Sequence, residues 1–143
     1  MTGQERQAVS HLFDQVAEHY DQYAVLQREI GSRLLERLEF RRNEPGVILD
    51  LGCATGIASR LLAGQFADAK VLALDCSPAM LARINPGGEG GLSGLCADMQ
   101  ALPLAPDSVD LVFSNLAISW GRDIPVSYTH LTLPTTLPRC RSR

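Results

Sequence analysis

The stretch Val47-Ile48-Leu49-Asp50-Leu51-Gly52-Cys53-Ala54-Thr55-Gly56 decides the fold. Its first five residues form a mainly apolar run of strand length, and a turn with two glycines follows. Apolar residues then recur at helical spacing from Ile57 to Phe66. A strand, a glycine turn and a helix form the first half of a βαβ unit. The stretch therefore predicts an α/β protein whose ligand crevice lies at the carboxyl ends of parallel strands.

The residues of this turn distinguish between kinds of ligand. A dinucleotide fingerprint G-x-G-x-x-G that begins at Gly52 needs glycines at positions 54 and 57, where the chain has Ala54 and Ile57. The carboxylate of Asp50 would repel a pyrophosphate, but it can accept hydrogen bonds from a cationic amino-acid ligand. Ala54 leaves room for a ligand but restricts φ. The alternative is a strand-to-helix turn with no binding role.

Length and composition indicate one small domain. The 143 residues are 45% hydrophobic and 20% charged, with a net charge of -3, so no broad nucleic-acid surface is indicated. The chain starts with polar residues, and no apolar run approaches membrane-spanning length. We therefore expect a cytoplasmic protein without nucleic-acid or membrane partners. Four scattered cysteines without a C-x-x-C pair favour free thiols over a zinc site: Cys53, Cys76, Cys96 and Cys140.

The residues before the glycine turn predict two helices. Apolar residues recur at helical spacing over residues 4–23 and again from about Leu26 to Phe40. Asn43-Glu44-Pro45-Gly46 then interrupts the pattern. The helical pair either packs on the sheet or forms a lid over a ligand, with Tyr20 and Arg28 among its polar tips.

Three further strands are predicted, and a polar residue lies near the end of each. They cover Val71–Asp75, Leu92–Cys96 and Val109–Phe113. Because the carboxyl ends of parallel strands meet at one edge, four polar side chains should share one rim: Asp50, Asp75, Asp98 and Asn115. A carboxylate at Asp75 suits acceptance from two ribose hydroxyls.

The segments after the second and third strands suggest contacts to an adenine ring. Asp98 could accept from the adenine amino group, or it caps the following turn. Met99 and Cys76 could contact the two faces of the ring. Ser77-Pro78 predicts the N-cap and first residue of a helix that carries Met80.

Together these features resemble class I S-adenosylmethionine (SAM)-dependent methyltransferases over residues 1–122. Within that superfamily they most resemble the malonyl-acyl-carrier-protein O-methyltransferases of biotin synthesis. The acid and glycines of the first turn are typical of the superfamily. Four pieces carry this resemblance: Val16–Tyr20 with Ala24–Arg28, Leu74–Leu81, Ala97–Leu104 and Phe113–Trp120. The N-terminal piece with Tyr20 and the last piece, with Asn115 and Trp120, narrow it to the family. The trans-aconitate and ubiquinone-type methyltransferases are neighbouring families.

The resemblance implies an incomplete Rossmann-like fold with the first four strands of the sheet and an N-terminal helical pair. Residues 1–44 would form a lid and residues 45–124 a SAM-binding half-domain. SAM would lie over the first turn, with its ribose at Asp75 and its adenine near Asp98 and Met99. The implied cofactor-binding residues are Tyr20, Arg28, Asp50, Gly52, Cys53, Ala54, Thr55, Gly56, Asp75, Cys76, Met80, Asp98, Met99 and Asn115. No metal is implied.

The resemblance also implies a reaction. The acceptor would be the free carboxylate of a malonyl thioester on acyl carrier protein, which is ionised at neutral pH and needs no general base. The protein would position the reactants and exclude water, and Tyr20 is the one candidate for a direct role. The alternatives are another small carboxylate or a quinone precursor as acceptor, or a nucleotide-binding module without catalysis. A third alternative, a NAD-dependent enzyme, is disfavoured by Ile57.

The resemblance ends near residue 124. Pro125–Thr135 has no counterpart in the family and resembles one reading frame of a sequencing-library adapter. We therefore expect residues 125–143 to be non-native or disordered rather than a divergent native tail. Further strands of the sheet would then be absent, strand four would be an exposed apolar edge, and this chain alone would be poorly soluble and inactive.

Overall fold

The computed structural model describes residues 3–38, 44–84 and 91–120, and its strands form one parallel sheet. The strands are β1 (Val47–Leu51), β2 (Lys70–Asp75), β3 (Leu92–Cys96) and β4 (Leu111–Phe113). Their order is β3-β2-β1-β4, and every neighbouring pair is parallel. This confirms the predicted α/β sheet. The predicted tail at 125–143 and the end of the second helix at Phe40 lie outside the described residues.

Five helices accompany this sheet in the described part of the chain. They are α1 (Gly3–Val16), α2 (Tyr20–Tyr23), α3 (Val25–Leu38), α4 (Ile57–Gln65) and α5 (Pro78–Leu81). A 3-10 turn covers Ile118–Trp120. Among these elements, none has the length and apolar character needed to cross a bilayer.

The single helix predicted over residues 4–23 is wrong, because the structure divides it. The N–H of His19 donates to the carbonyl oxygen of Val16 at 3.0 Å, which closes a turn between α1 and α2. This turn buries Ala17 and lets Asp21 accept a hydrogen bond from the hydroxyl of Thr55 at 2.5 Å. A contact 34 residues away in sequence thus accompanies the break, and helical periodicity carries no sign of it.

The strand order places a ligand crevice beside β1. The chain moves from β1 to β2 on one side and later returns to β4 on the other side. In α/β sheets such a change of direction leaves a crevice at the carboxyl ends of the strands. Here those ends are Leu51 and Phe113, and the Ser114 hydroxyl bridges them by donating to the Leu51 carbonyl oxygen at 3.0 Å.

β4 begins at Leu111, two residues later than predicted. The carboxylate of Asp110 accepts from the N–H groups of Gly46 and Val47 at 2.9 and 2.8 Å. It thereby holds the segment before β4 against the start of β1, and the Cα pairing begins only with Leu111 and Ile48. Among the described strands, β4 pairs with β1 alone.

Apolar clusters cover both faces of the sheet. Successive strand residues point to opposite faces, so Ile48 belongs to one cluster and Leu49 and Leu51 to another. The first cluster includes Leu35 of α3 and Leu62 of α4. Asp50 lies on the same face as Ile48, and this alternation determines which part of the site it reaches.

Candidate functional site

Two glycines of the turn after β1 occupy positions that a side chain would not tolerate. Gly52 and Gly56 have φ values of +75° and +79°, in the left-handed region. A Cβ at Gly52 would overlap the methyl group of Ala117. A Cβ at Gly56 would lie 2.6 Å from Ile84 Cγ1. The turn can therefore pass closely beneath the segment after β4 and lead directly into α4.

Ala54 has the third left-handed conformation in this turn, with φ of +49°. Its N–H donates to Asp75 Oδ2 at 2.9 Å, so the turn needs this conformation to reach the end of β2. A left-handed residue with a Cβ costs roughly 1–2 kcal/mol. Ala54 therefore strains the turn, as its place in the glycine pattern predicted.

We expect Ala54→Gly to raise the free energy of unfolding by up to about 1 kcal/mol, because relief of strain exceeds the added chain entropy of glycine. Urea unfolding measures the change. The control is Ala63→Gly in the interior of α4, which should lower stability by about 1 kcal/mol. A destabilised Ala54→Gly variant would contradict strain at this position.

Asp75 is fixed at the end of β2 by two backbone groups. Its Oδ2 accepts from the N–H of Ala54 and its Oδ1 accepts from the N–H of Ser77, each at 2.9 Å. A carboxylate offers about four acceptor positions. Each oxygen of Asp75 thus keeps acceptor capacity for a ligand, in an orientation that the backbone sets.

A cavity of about 180 Å³, the first cavity, lies over the carboxyl ends of the strands and contains much of the predicted site. Asp75, Asp98 and Asn115 line it, and so do five further residues of the predicted set: Tyr20, Gly52, Ala54, Cys76 and Met99. Three of the four polar residues expected on one rim therefore share a cavity.

A cavity of about 140 Å³, the second cavity, lies on the α3–α4 side. Arg28, Asp50, Cys53 and Thr55 line it. Asp50 reaches this cavity rather than the first because strand alternation points it to the same face as Ile48. Five residues border both cavities, so the two adjoin at the turn: Tyr20, Gln27, Gly52, Ala54 and Asn115.

Two predicted site residues lie outside both cavities. Met80 has an exposed fraction of 1%, and its N–H donates to the Ser77 hydroxyl at 3.2 Å, as expected for the N-cap that the sequence predicted. Gly56 is buried as the N-cap of α4. The structure thus places both residues in the fold around the site and not on the lining of either cavity.

Burial controls the charge of Asp50. Its side chain has an exposed fraction of 1%, and Oδ2 accepts from the Ser59 hydroxyl at 2.5 Å. Burial raises the pKa of Asp50 from 3.8 to about 6; the Ser59 hydrogen bond opposes this rise and the negative charge of Asp75 adds to it. The protein therefore holds a carboxylate that a cation in the second cavity would stabilise.

The two thiols and the phenol beside the cavities stay neutral at pH 7. Burial, then the charges of Asp50 and Asp75, raise the pKa of the Cys53 thiol. Burial, together with Asp75, raises the pKa of Cys76 to about 11. Burial, then the charges of Asp75 and Asp21, raise the pKa of Tyr20. The site thus contains carboxylates and neutral hydrogen-bonding groups rather than a thiolate nucleophile.

Polar contacts attach α1 and α2, called here the helical cover, to the strand ends. The Ser10 hydroxyl donates to the Cys76 carbonyl oxygen at 2.8 Å. Asp14 Oδ1 accepts from the Ser77 hydroxyl at 2.5 Å and from the Ala79 N–H at 3.1 Å. Asp21 is bonded to Thr55 as described above. The cover is thus joined to the same segments that hold Asp75.

We expect Asp14→Asn to lower the free energy of unfolding by about 1 kcal/mol, because Asp14 satisfies donors at the start of α5. These hydrogen bonds hold the pKa of Asp14 below its ordinary value of 3.8. The stabilisation from these hydrogen bonds is therefore present above about pH 3.8, the ordinary pKa, and is lost as the pH falls through the lowered pKa of folded Asp14. Urea unfolding at pH 7 and at pH 3 measures it, with exposed Glu18→Gln as control; equal losses at both pH values would contradict this role.

Sequence reasoning missed several residues of the first cavity. Phe13 of α1 meets Trp120 edge-to-face, with ring centroids 5.4 Å apart and planes at 79°. Both line the cavity, together with Gln27 and Gln100. Phe13 belonged to the apolar helical pattern and Trp120 to a family-like piece, but nothing in the sequence indicated that they meet.

Two buried polar atoms at these cavities have no hydrogen-bond partner in the described residues. They are Gln100 Nε2 and Asn115 Oδ1. Asn115 uses its other amide atom, because Nδ2 donates to the Gln27 carbonyl oxygen at 2.6 Å. A donor and an acceptor therefore stand ready for a polar ligand.

Comparisons with known proteins agree with this geometry. A family model described as "Methyltransferase domain" matches residues 48–130. The malonyl-[acyl-carrier protein] O-methyltransferase of Halorhodospira halophila is 46% identical over 129 residues, which cover 89% of this chain and 44% of the relative. That of Gallionella capsiferriformans is 41% identical over 135 residues, covering 89% and 47%. The chain spans less than half the length of these curated relatives.

Solved structures give the same picture. The S-adenosylmethionine-dependent methyltransferase of Mesorhizobium loti superposes with a TM-score of 0.61 at 31% identity, over 75% of this chain and 50% of that one. A DhpI complex with S-adenosylhomocysteine gives a TM-score of 0.63 at 27% identity, over 76% of this chain and 52% of that one.

Proposed function

The chain belongs to the methyltransferase-domain family. We propose that it binds SAM across its two cavities and forms the cofactor-binding part of a carboxyl O-methyltransferase. The family membership confirms the resemblance stated from the sequence. We further propose that the methyl acceptor is the free carboxylate of a malonyl thioester on acyl carrier protein. The names of the curated relatives support this acceptor.

The fixed carboxylate of Asp75 is the observation that carries the proposal. It lines the first cavity, and two backbone N–H groups orient it. Paired ribose hydroxyls are donors that match the acceptor capacity left on its two oxygens. Asp98 and Met99 line the same cavity and suit an adenine ring, the first by accepting from an amino group and the second by apolar contact.

The second cavity suits the amino-acid end of SAM. An α-ammonium group would meet Asp50, and binding a cation there would favour its charged form. Asn115 Oδ1, which is buried and has no partner in the part of the chain that the structure describes, is a second acceptor for the same group. The guanidinium of Arg28 lines this cavity and suits the α-carboxylate.

The chemistry that follows needs little from the protein besides position. When bound, SAM supplies a methyl group on a sulfonium, and a malonyl carboxylate is already ionised at neutral pH. The turn at Gly52 and Ala54 borders both cavities and would hold the region between nucleoside and amino acid. The helical cover would exclude water from it, and Tyr20, which borders both cavities, would help to close it.

Calorimetry with S-adenosylhomocysteine tests cofactor binding by this chain. We expect saturable binding with one site, and no comparable binding of NAD. A chain that is folded by circular dichroism but binds neither compound would overturn the proposal.

The acceptor is tested with the complete product of the gene, because the curated relatives are more than twice as long as their matched portions. Label from methyl-labelled SAM should pass to malonyl-acyl carrier protein and not to trans-aconitate. Transfer to trans-aconitate instead would favour the other small-carboxylate acceptors. Tight SAM binding without transfer to either would favour a non-catalytic module.

A further inference from the structure

We propose that Gln100 recognises the purine ring of the bound nucleoside, with its side-chain Nε2 donating a hydrogen bond to a ring nitrogen. The proposal rests on the proposed function and adds a specificity residue to it. It starts from the buried Nε2 atom, which has no partner among the residues that the structure describes. A buried amide donor without a partner is costly, so such a position favours a ligand that supplies an acceptor.

The backbone holds Gln100 in a fixed position. Its N–H donates to Asp98 Oδ1 at 2.9 Å, and the N–H of Ala101 donates to the Asp98 carbonyl oxygen at 3.0 Å. These bonds close a turn directly after β3, next to Met99. The side chain therefore extends from an ordered turn, and a hydrogen bond from it costs less conformational entropy than one from a free loop.

The location of Gln100 indicates which part of the ligand it meets. Gln100 lines the first cavity and is absent from the lining of the second, whereas Asn115 borders both. Its partner is therefore on the nucleoside half of the ligand and away from the amino-acid half near Asp50 and Arg28.

The chemistry of the neighbouring groups narrows the partner further. Asp75 and Asp98 are acceptors when ionised, and they suit the hydroxyl and amino donors of a nucleoside. The remaining acceptors of the base are its ring nitrogens. Among the described residues at this cavity, Gln100 Nε2 is the buried side-chain donor that has no hydrogen-bond partner, so it can donate to one of them. A carboxylate for the amino group and an amide for a ring nitrogen together favour adenine over hypoxanthine, which has a carbonyl oxygen in place of the amino group.

Calorimetry with S-adenosylhomocysteine and its 1-deaza, 3-deaza and 7-deaza analogues tests this contact. In the native chain one of the three analogues should bind about tenfold more weakly than the parent, since it lacks the acceptor nitrogen. In Gln100→Met, which keeps the chain length but removes the donor, that penalty should disappear. Gln100→Glu should weaken binding of the parent compound by at least tenfold, because a carboxylate then faces a ring acceptor.

The outcomes separate the two proposals. If the native chain fails to bind S-adenosylhomocysteine, the proposed function itself fails. If the native chain binds the parent compound, and each deaza analogue loses as much affinity in Gln100→Met as in the native chain, the Gln100 contact does not exist. In that case the proposed function still stands. Circular dichroism of both variants checks the fold, and the native chain's own analogue series tests the contact even if a variant is unstable. Equal binding of all four ligands by the native chain would also overturn the inference.

Discussion

Asp75→Asn should weaken the binding of S-adenosylhomocysteine by at least tenfold, and by up to about a hundredfold, while Asp75→Ala should weaken it at least tenfold. An asparagine has only one acceptor oxygen, so its amide group would face either the Ala54 N–H or the Ser77 N–H, donor against donor. The variant loses an acceptor for ribose and also the orientation of the other one. A ribose hydroxyl that is buried on binding without an acceptor costs about 1–3 kcal/mol, and this cost sets the upper part of the expected range.

Calorimetry on both Asp75 variants measures this effect, and thermal unfolding checks that each variant is folded. Asp68→Asn is the matched control, because it removes one negative charge from an exposed acid near the end of α4. That control should bind like the native chain. Unchanged affinity in folded Asp75→Ala would place the ribose elsewhere and remove the main support for the proposed site.

The second large effect is expected from Asp50→Asn, which should stabilise the free protein at pH 7.5 by up to about 3 kcal/mol. The pKa of Asp50 is raised from 3.8 to about 6 in the fold, chiefly by burial. The folded state therefore keeps a proton between these values when the unfolded state has lost it. Stability from this group is fully present below pH 4 and falls as the pH rises through about 6. Asparagine resembles the neutral acid and avoids that loss.

The same substitution should weaken S-adenosylhomocysteine binding by at least tenfold at pH 7.5, because the α-ammonium group loses its buried counter-charge. Urea unfolding from pH 4 to pH 8 should show native and variant stabilities that approach each other towards pH 4, separate as the pH rises to about 6, and then stay apart. Asp107→Asn, at an exposed turn, controls for loss of charge. A variant that is less stable than the native chain at pH 7.5 and binds equally well would contradict both arguments.

These two acids show how much of the site the sequence can predict. Asp75 follows a continuous apolar strand, so its position at the strand end was predictable from spacing alone. The hydrogen bonds that orient it were not, since they depend on the left-handed turn at Ala54. Asp50 was expected on the same rim as Asp75 and Asp98, but strand alternation points it to the second cavity, which they do not line. Predicting this requires knowing on which face of the sheet α4 packs, and the spacing of apolar residues does not determine that face.

The remaining differences have the same cause, namely contacts between distant segments. Helical periodicity predicted one helix where the structure has α1 and α2, because the bond between Asp21 and Thr55 joins segments far apart in sequence. Met80 was among the implied cofactor-binding residues, yet it is buried outside both cavities. Gln100 lay within the piece Ala97–Leu104, but its spacing indicated no role; its side-chain amide, which has no partner among the described residues, identifies it. Local pattern therefore predicts elements and strand ends, while tertiary contacts decide which side chains face the ligand.

The way the helical cover is attached has a consequence for kinetics. No described side chain of α1 is fully buried, and the cover is tied to the strand ends by the bonds of Ser10, Asp14 and Asp21. Such bonds contribute little individually in net free energy, so the cover can detach without disrupting the two apolar clusters. We expect the residence time of a bound nucleoside to depend on this detachment, and exchange of spent cofactor for fresh cofactor to quicken when the tethers are removed.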